Sequence, residues 1–137
     1  MWSESTPMRE YLFDSTVLID NFRGQSVVAP FVQPVLAGTA VVWFSVITEA
    51  ELWAGIKNAG EQARYEALFA LMKRAPINKR IARLAGQYYG RHKTQGLGLP
   101  DALIAATAKI YRKTLVTRNA KHFELLRDQI ACEFYTL

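Results

Sequence analysis

Three short apolar runs each end in a polar residue of the kind that starts a helix, and this repeated junction restricts the fold more than any other feature. Tyr11-Leu12-Phe13 passes into Asp14-Ser15-Thr16 before Val17, Leu18 and Ile19 resume. Val41-Val42-Trp43-Phe44 passes into Ser45, and Leu115-Val116-Thr117 passes into Arg118-Asn119. β-Branched and aromatic residues favour extended chain, whereas Ser, Thr, Asp and Asn accept hydrogen bonds from the free N–H groups of a first helical turn. Strand then helix, repeated, requires parallel pairing, because parallel strands need a long crossover between them. The expected fold is a three-layer α/β/α sandwich with a mostly parallel central sheet.

The remaining segments fit between these junctions. Ser15 or Thr16 is expected to cap the first helix, with Gly24 as its stop. Gly24 to Thr48 carries no charge and is long enough to span a bilayer, but Pro30, Pro34, Gly38, Gln25 and Gln33 interrupt it. It reads as a short helix, a turn and a buried strand, and no membrane contact is expected. Helices are expected over residues 46–57 and 61–73, the latter stopped by Pro76. Residues 78–93 give the clearest helix, with Ile81, Leu84, Ala85, Tyr88 and Tyr89 on one stripe and Arg80, Arg83, Gln87 and Arg91 off it. Gly96 to Pro100 is a loop, residues 101–113 an alanine-rich helix, and Glu133-Phe134-Tyr135 a candidate edge strand.

At 137 residues, half of them apolar and 21% charged, the chain is expected to fold as one domain over residues 1–137. Residues 1–8 lack the basic and apolar regions of a signal peptide and read as a flexible tail. A single cysteine, Cys132, cannot form an internal disulfide, which fits a reducing cytoplasm. It is expected to be a buried small hydrophobe.

The net charge of +5 conceals a strong asymmetry. Up to Met72 there are 4 basic and 8 acidic side chains, from Lys73 to Lys121 there are 12 and 1, and the rest has 1 and 3. A basic block of this kind is either a solvated face balanced by the acidic first half or the footprint of a polyanion. Its one acid is Asp101.

Ligands of open parallel sheets bind beyond the carboxyl ends of the strands. Asp14, the helix with Glu49 and Glu51, and the turn from Thr117 to Asn119 all follow expected strands, and Asp101 opens a helix that can reach the same rim. Each acid also has an ordinary structural reading: Asp14 as a turn residue, Glu51 as the capping-box partner of Thr48, Asp101 as a charge at a helix amino end. Gathered on one rim, they repel one another unless a cation offsets the repulsion. Oxygen-only sites suit Mg²⁺, with Mn²⁺ as a substitute. Acids for a metal and a basic surface for a polyanion together suggest a nuclease.

Four segments then resemble the successive motifs of PIN domains. They are Phe13-Asp14-Ser15-Thr16-Val17-Leu18-Ile19-Asp20, Ser45-Val46-Ile47-Thr48-Glu49-Ala50-Glu51-Leu52, Leu99 to Ala108 with Pro100-Asp101-Ala102 near its start, and Leu115-Val116-Thr117-Arg118-Asn119-Ala120-Lys121-His122-Phe123. Length, order and spacing are similar to VapC-type toxins from about Tyr11 to the carboxyl terminus. The resemblance implies a Mg²⁺-dependent endoribonuclease, commonly a homodimer, held inactive by a cognate VapB-like antitoxin. It implies that Asp14, Glu51 and Asp101 are the acidic metal-site residues, with Asp14 and Asp101 as direct ligands. Glu51 is preferred to Glu49 because the family acid directly precedes Leu, as Glu51 precedes Leu52. The fourth motif departs from the commonest pattern: an acid usually follows the Thr, and here Asn119 and His122 stand there. Asn119 can orient water but carries no charge, and Thr117 can bond to a carboxylate or water.

On this reading Asp14 and Asp101 fix Mg²⁺ while Glu51 and Asn119 orient or deprotonate the water that attacks an RNA phosphodiester. Arg80, Arg83, Arg91, Lys93, Arg112, Lys113 and Arg118 are the candidate RNA phosphate contacts. Phe22 and Trp53 are the candidate antitoxin anchors. His92 and His122 are expected at the surface, with no zinc-type spacing. The alternative is a PIN-like RNA-binding module without catalysis. A phosphoacceptor receiver ranks last, since Asp14 is followed by Ser15 and not by a second acid.

Overall fold

The computed structural model describes residues 10–137, so the expected tail at residues 1–8 lies outside the described residues. Five parallel strands form one sheet in the order β3-β2-β1-β4-β5: β1 Tyr11–Phe13, β2 Val42–Ser45, β3 Lys73–Ala75, β4 Thr114–Thr117 and β5 Cys132–Phe134. The helices are α1 Ser15–Phe22, α2 Ala29–Leu36, α3 Val46–Ala54, α4 Ala59–Phe69, α5 Lys79–His92, α6 Leu99–Tyr111 and α7 Ala120–Phe123.

Side-chain alternation explains the layers. Leu12, Trp43 and Leu115 face the α5/α6 side with Ile81, Ala85, Tyr88, Ala102 and Ala105. Phe13, Val42, Phe44 and Val116 face the opposite side with Val17, Leu18, Val32, Leu52, Tyr65 and Phe69. The central strands are mostly apolar on both faces, as helix-covered parallel strands are, with polar Ser45 and Thr117 at their carboxyl ends. The α/β/α expectation therefore matches the structure.

Several local expectations need correction. The first helix is capped by Asp14, whose carboxylate accepts from the Thr16 N–H, and not by Ser15 or Thr16. The helix expected over residues 61–73 stops at Phe69, and Lys73–Ala75 instead joins the sheet beside β2. Three residues are too few to show a strand period, and the pairing with Trp43, Phe44 and Ser45 decides the conformation. Helix α3 ends at Ala54 rather than Lys57, and α6 covers Leu99–Tyr111 rather than 101–113. Gly24 does stop α1, with a positive φ of 73° that suits glycine. Cys132 is half-buried on β5, and burial pushes its thiol up to about 11, so it stays protonated.

The chain runs outward from β1 to β2 and β3, then returns through α5 and α6 to β4 on the other flank of β1. The strand order thus reverses between β1 and β4. Residues following these two strands meet at the switch point, where such sheets hold ligands.

Candidate active site

Asp14 follows β1 directly and is 3% exposed. Its Oδ1 accepts from the Thr16 N–H at 3.0 Å and the Thr16 hydroxyl at 2.5 Å, and its Oδ2 accepts from the Thr117 hydroxyl at 2.6 Å across the switch point. Both hydroxyls are oriented by amides of the β4–α7 turn. Thr16 Oγ1 accepts from the Arg118 N–H at 3.0 Å, and Thr117 Oγ1 accepts from the Asn119 N–H at 2.9 Å. A hydroxyl has one proton, so an amide on its lone pair leaves that proton for the carboxylate. Burial nevertheless outweighs these bonds and raises the Asp14 carboxyl above its ordinary value.

Helix α3 supplies two acids, and the structure separates them. Glu49 is gripped by Arg74 of β3 in a bidentate pair at 2.7 and 2.8 Å, which lowers its carboxyl. The Glu51 carboxyl is raised, first by desolvation and then by the charges of Asp101 and Asp14, with Ser15 bonding in the opposite sense. Glu51 therefore shares a field with the other two candidate acids, whereas Glu49 is neutralised at the sheet edge. The capping-box reading of Glu51 with Thr48 fails, because Ser45 caps α3 by accepting from the Ile47 N–H at 3.0 Å.

Asp101 stands in the first turn of α6. Its Oδ2 accepts from His122 Nδ1 at 2.8 Å, and that nitrogen lies 2.9 Å from the Asn119 amide. His122, its side chain 36% exposed, stands at the surface as expected and in addition contacts a rim acid, a partner the sequence reading did not assign it. Its sequence signal was the separation of three from Asn119, which a single helical turn brings to one side.

The basic candidates do not form one patch. Arg91 and Lys93 stand where α5 ends, on the side from which α6 begins, and Arg83 is exposed in mid-helix. Arg80, Arg112 and Lys113 instead line a cavity of about 540 Å³ with Thr114, at the amino end of β4 and away from the carboxylates. Lys113 also pairs with Glu10 and lies over the Trp43 ring. The Arg118 side chain turns inward to Asp20. Phe22 stacks on Tyr65 under the Arg64 guanidinium and lines an apolar cavity of about 260 Å³ with Leu18, Leu36, Leu68 and Leu71. Trp53 lies apart from that cavity and stacks on Phe69.

Comparison with known proteins agrees with this geometry. Ribonuclease VapC19 of Mycobacterium tuberculosis (strain ATCC 25618 / H37Rv) is 30% identical over 119 residues, covering 85% of this chain and 94% of that protein. Ribonuclease VapC10 of the same strain is 34% identical over 119 residues, covering 85% of this chain and 88% of that protein. Among solved structures, a toxin-antitoxin complex from Klebsiella pneumoniae contains a chain with 28% identity and a TM-score of 0.75, covering 93% of this chain and 99% of that one. The PIN domain family model matches residues 11–127. With acids gathered at the switch point of a parallel sheet and these matches over most of its length, the chain belongs to the PIN domain family and, within it, to the VapC group.

Proposed function

We propose that this chain is a toxin endoribonuclease that hydrolyses RNA phosphodiester bonds with Mg²⁺ and is restrained by a VapB-like antitoxin. The observation that carries the reading is the electrostatic coupling of Glu51 to Asp14 and Asp101, acids 37 and 50 residues away in sequence. Like charges brought together destabilise one another, and a hard cation removes that cost.

The donor set fits such a cation in one particular way. Among the described residues, no three His, Cys, Asp or Glu side chains form a ready metal-binding group. Mg²⁺ does not need one, since it retains waters and is held by one or two carboxylates together with substrate phosphate. Asp14 and Asp101 would hold it, and the ion would supply charge stabilisation for a phosphoryl transition state and a more acidic water. Asp14 is fixed by its two threonine donors, and Asp101 by His122. Glu51, which shares the field of Asp14 and Asp101, is the acid assigned to accept a proton from the attacking water. Asn119, whose backbone N–H donates to Thr117 Oγ1, can orient that water. The exposed Arg83, Arg91 and Lys93 supply phosphate contacts.

The apolar cavity beside Phe22 supports the antitoxin part of the reading. It combines aliphatic walls with an aromatic anchor, and Leu36 and Leu71 are about half exposed there. A homodimer belongs to the same proposal and is checked by solution molar mass. No helix among the described residues is long and apolar enough to cross a membrane.

Cleavage of RNA by the purified chain with Mg²⁺ tests the assignment. Asp14→Asn and Asp101→Asn are each expected to abolish cleavage while circular dichroism stays native. Activity surviving both changes rules the site out. RNA retention with no cleavage under any divalent ion would identify instead a non-catalytic RNA-binding module.

A further inference from the structure

Asp20 is the most deeply buried charged side chain among the described residues, at 1% exposure, and the mechanism above gives it no role. It lies on α1, six residues after Asp14. Its two oxygens accept from Arg118 Nε at 2.9 Å and from the other arm of the same guanidinium at 3.2 Å. Tyr135, beyond β5, donates its hydroxyl to Asp20 Oδ2 at 2.6 Å. Burial and the Asp20 bond keep the Tyr135 phenol protonated, so it acts as a donor. Three separate parts of the chain converge on one carboxylate.

A buried carboxylate without a cation is costly, and replacement by apolar groups is often neutral or stabilising. What distinguishes this pair is the backbone to which it is fastened. Arg118 sits between Thr117 and Asn119, and its own N–H is the donor that orients the Thr16 hydroxyl toward Asp14. The next amide, of Asn119, orients the Thr117 hydroxyl toward the other Asp14 oxygen. The Arg118 side chain thus anchors the turn whose two amides set the direction of both Asp14 donors.

We propose that Arg118 is a positioning residue of the active site and not an RNA phosphate contact: Asp20 and Tyr135 hold its guanidinium so that the 118 and 119 amides keep Asp14 aimed at the rim. The bidentate fork suits this task, since it fixes orientation as well as distance. The proposal rests on the ribonuclease reading for its kinetic consequence, but its structural consequence is independent of that reading.

The full chain is assayed on a mixed-sequence RNA oligonucleotide pool with Mg²⁺, with RNA binding measured across a salt series without divalent ions. Arg118→Gln is expected to lower kcat by about 10- to 100-fold, as loss of an orienting partner does, with KM and salt slope unchanged. Asp20→Asn should behave alike, and the double variant should be no worse than either single one. Amide hydrogen exchange at Arg118 and Asn119 should accelerate in both. A phosphate contact gives the opposite pattern. KM would then rise in Arg118→Gln, the slope of log K against log salt would fall by about 0.7 to 0.9, and Asp20→Asn would bind RNA more tightly by freeing the arginine. Either that pattern or wild-type kcat in Asp20→Asn overturns the proposal. If Asp20→Asn does not fold, Tyr135→Phe removes one bond to the same carboxylate and is expected to show a smaller loss in kcat alone. Should the wild-type chain cut no RNA, the proposed function fails, and unchanged exchange at the two amides would overturn the positioning role separately.

Discussion

Glu49 and Glu51 show how two identical side chains, two positions apart, acquire different work. Residues two apart do not share a helix face, so α3 presents one acid to Arg74 and the other toward the field of Asp14 and Asp101. Glu51→Gln is expected to lower RNA cleavage by about 100-fold or more, the scale of a lost general base. Glu49→Gln should leave cleavage unchanged within error. It should cost less than about 1 kcal/mol in a urea melt, because the pair is at the surface. The Glu49 carboxyl is lowered on folding, so its contribution is present above the ordinary carboxylate range and fades as pH falls through the lowered value. Asp14 has the opposite sign. Its carboxyl is raised, so the charged form costs stability at neutral pH, and that cost disappears as pH falls through the raised value. Asp14→Asn keeps a capping side chain and removes the buried charge. It should raise stability at neutral pH by about 1 kcal/mol while cleavage is lost, read by thermal melting beside the activity assay.

The strand-to-helix junctions matter at the scale of the element, since each both begins a helix and sets down a site residue. Ser45, fully buried, caps α3 and so fixes the start of the helix that carries Glu51. Ser45→Ala is expected to cost about 1 kcal/mol and to reduce kcat more than KM, measured by chemical denaturation and steady-state cleavage. Long periodic elements were legible in the sequence: on the stripe from Ile81 to Tyr89, Ile81, Ala85 and Tyr88 are buried and Leu84 and Tyr89 pack partly buried against the same core. Short ones were not. Lys73-Arg74-Ala75 carries no pattern of its own, and its strand exists because the exposed edge of β2 supplies hydrogen-bonding partners and the rings of Trp43 and Phe44 lie beneath the Lys73 and Arg74 cations. Likewise the cap of α1 passed to Asp14, because Thr16 is drawn into the bond network instead.

For the whole molecule, the order β3-β2-β1-β4-β5 places β1 at the centre with the chain departing from its two flanks. That topology alone brings positions 14, 51, 101 and 117 toward one rim. A cation that relieved their repulsion would bind the folded state and not the unfolded one. Saturating Mg²⁺, at about 100 times its Kd, is therefore expected to stabilise the protein by about 2.7 kcal/mol. The matching rise in melting temperature should vanish in Asp101→Asn. Layer order was legible in the sequence, because apolar period and capping chemistry are local properties that neighbouring residues express, and the motif resemblance supplied the candidate acids while leaving Glu49 as a fallback for Glu51. It took the folded chain to separate the acid that is coupled from the one that is neutralised, to bring His122 against Asp101, and to tie the Arg118 guanidinium to Asp20. Those outcomes depend on distances between residues as much as 98 positions apart, as Asp20 and Arg118 are, and no local pattern encodes them.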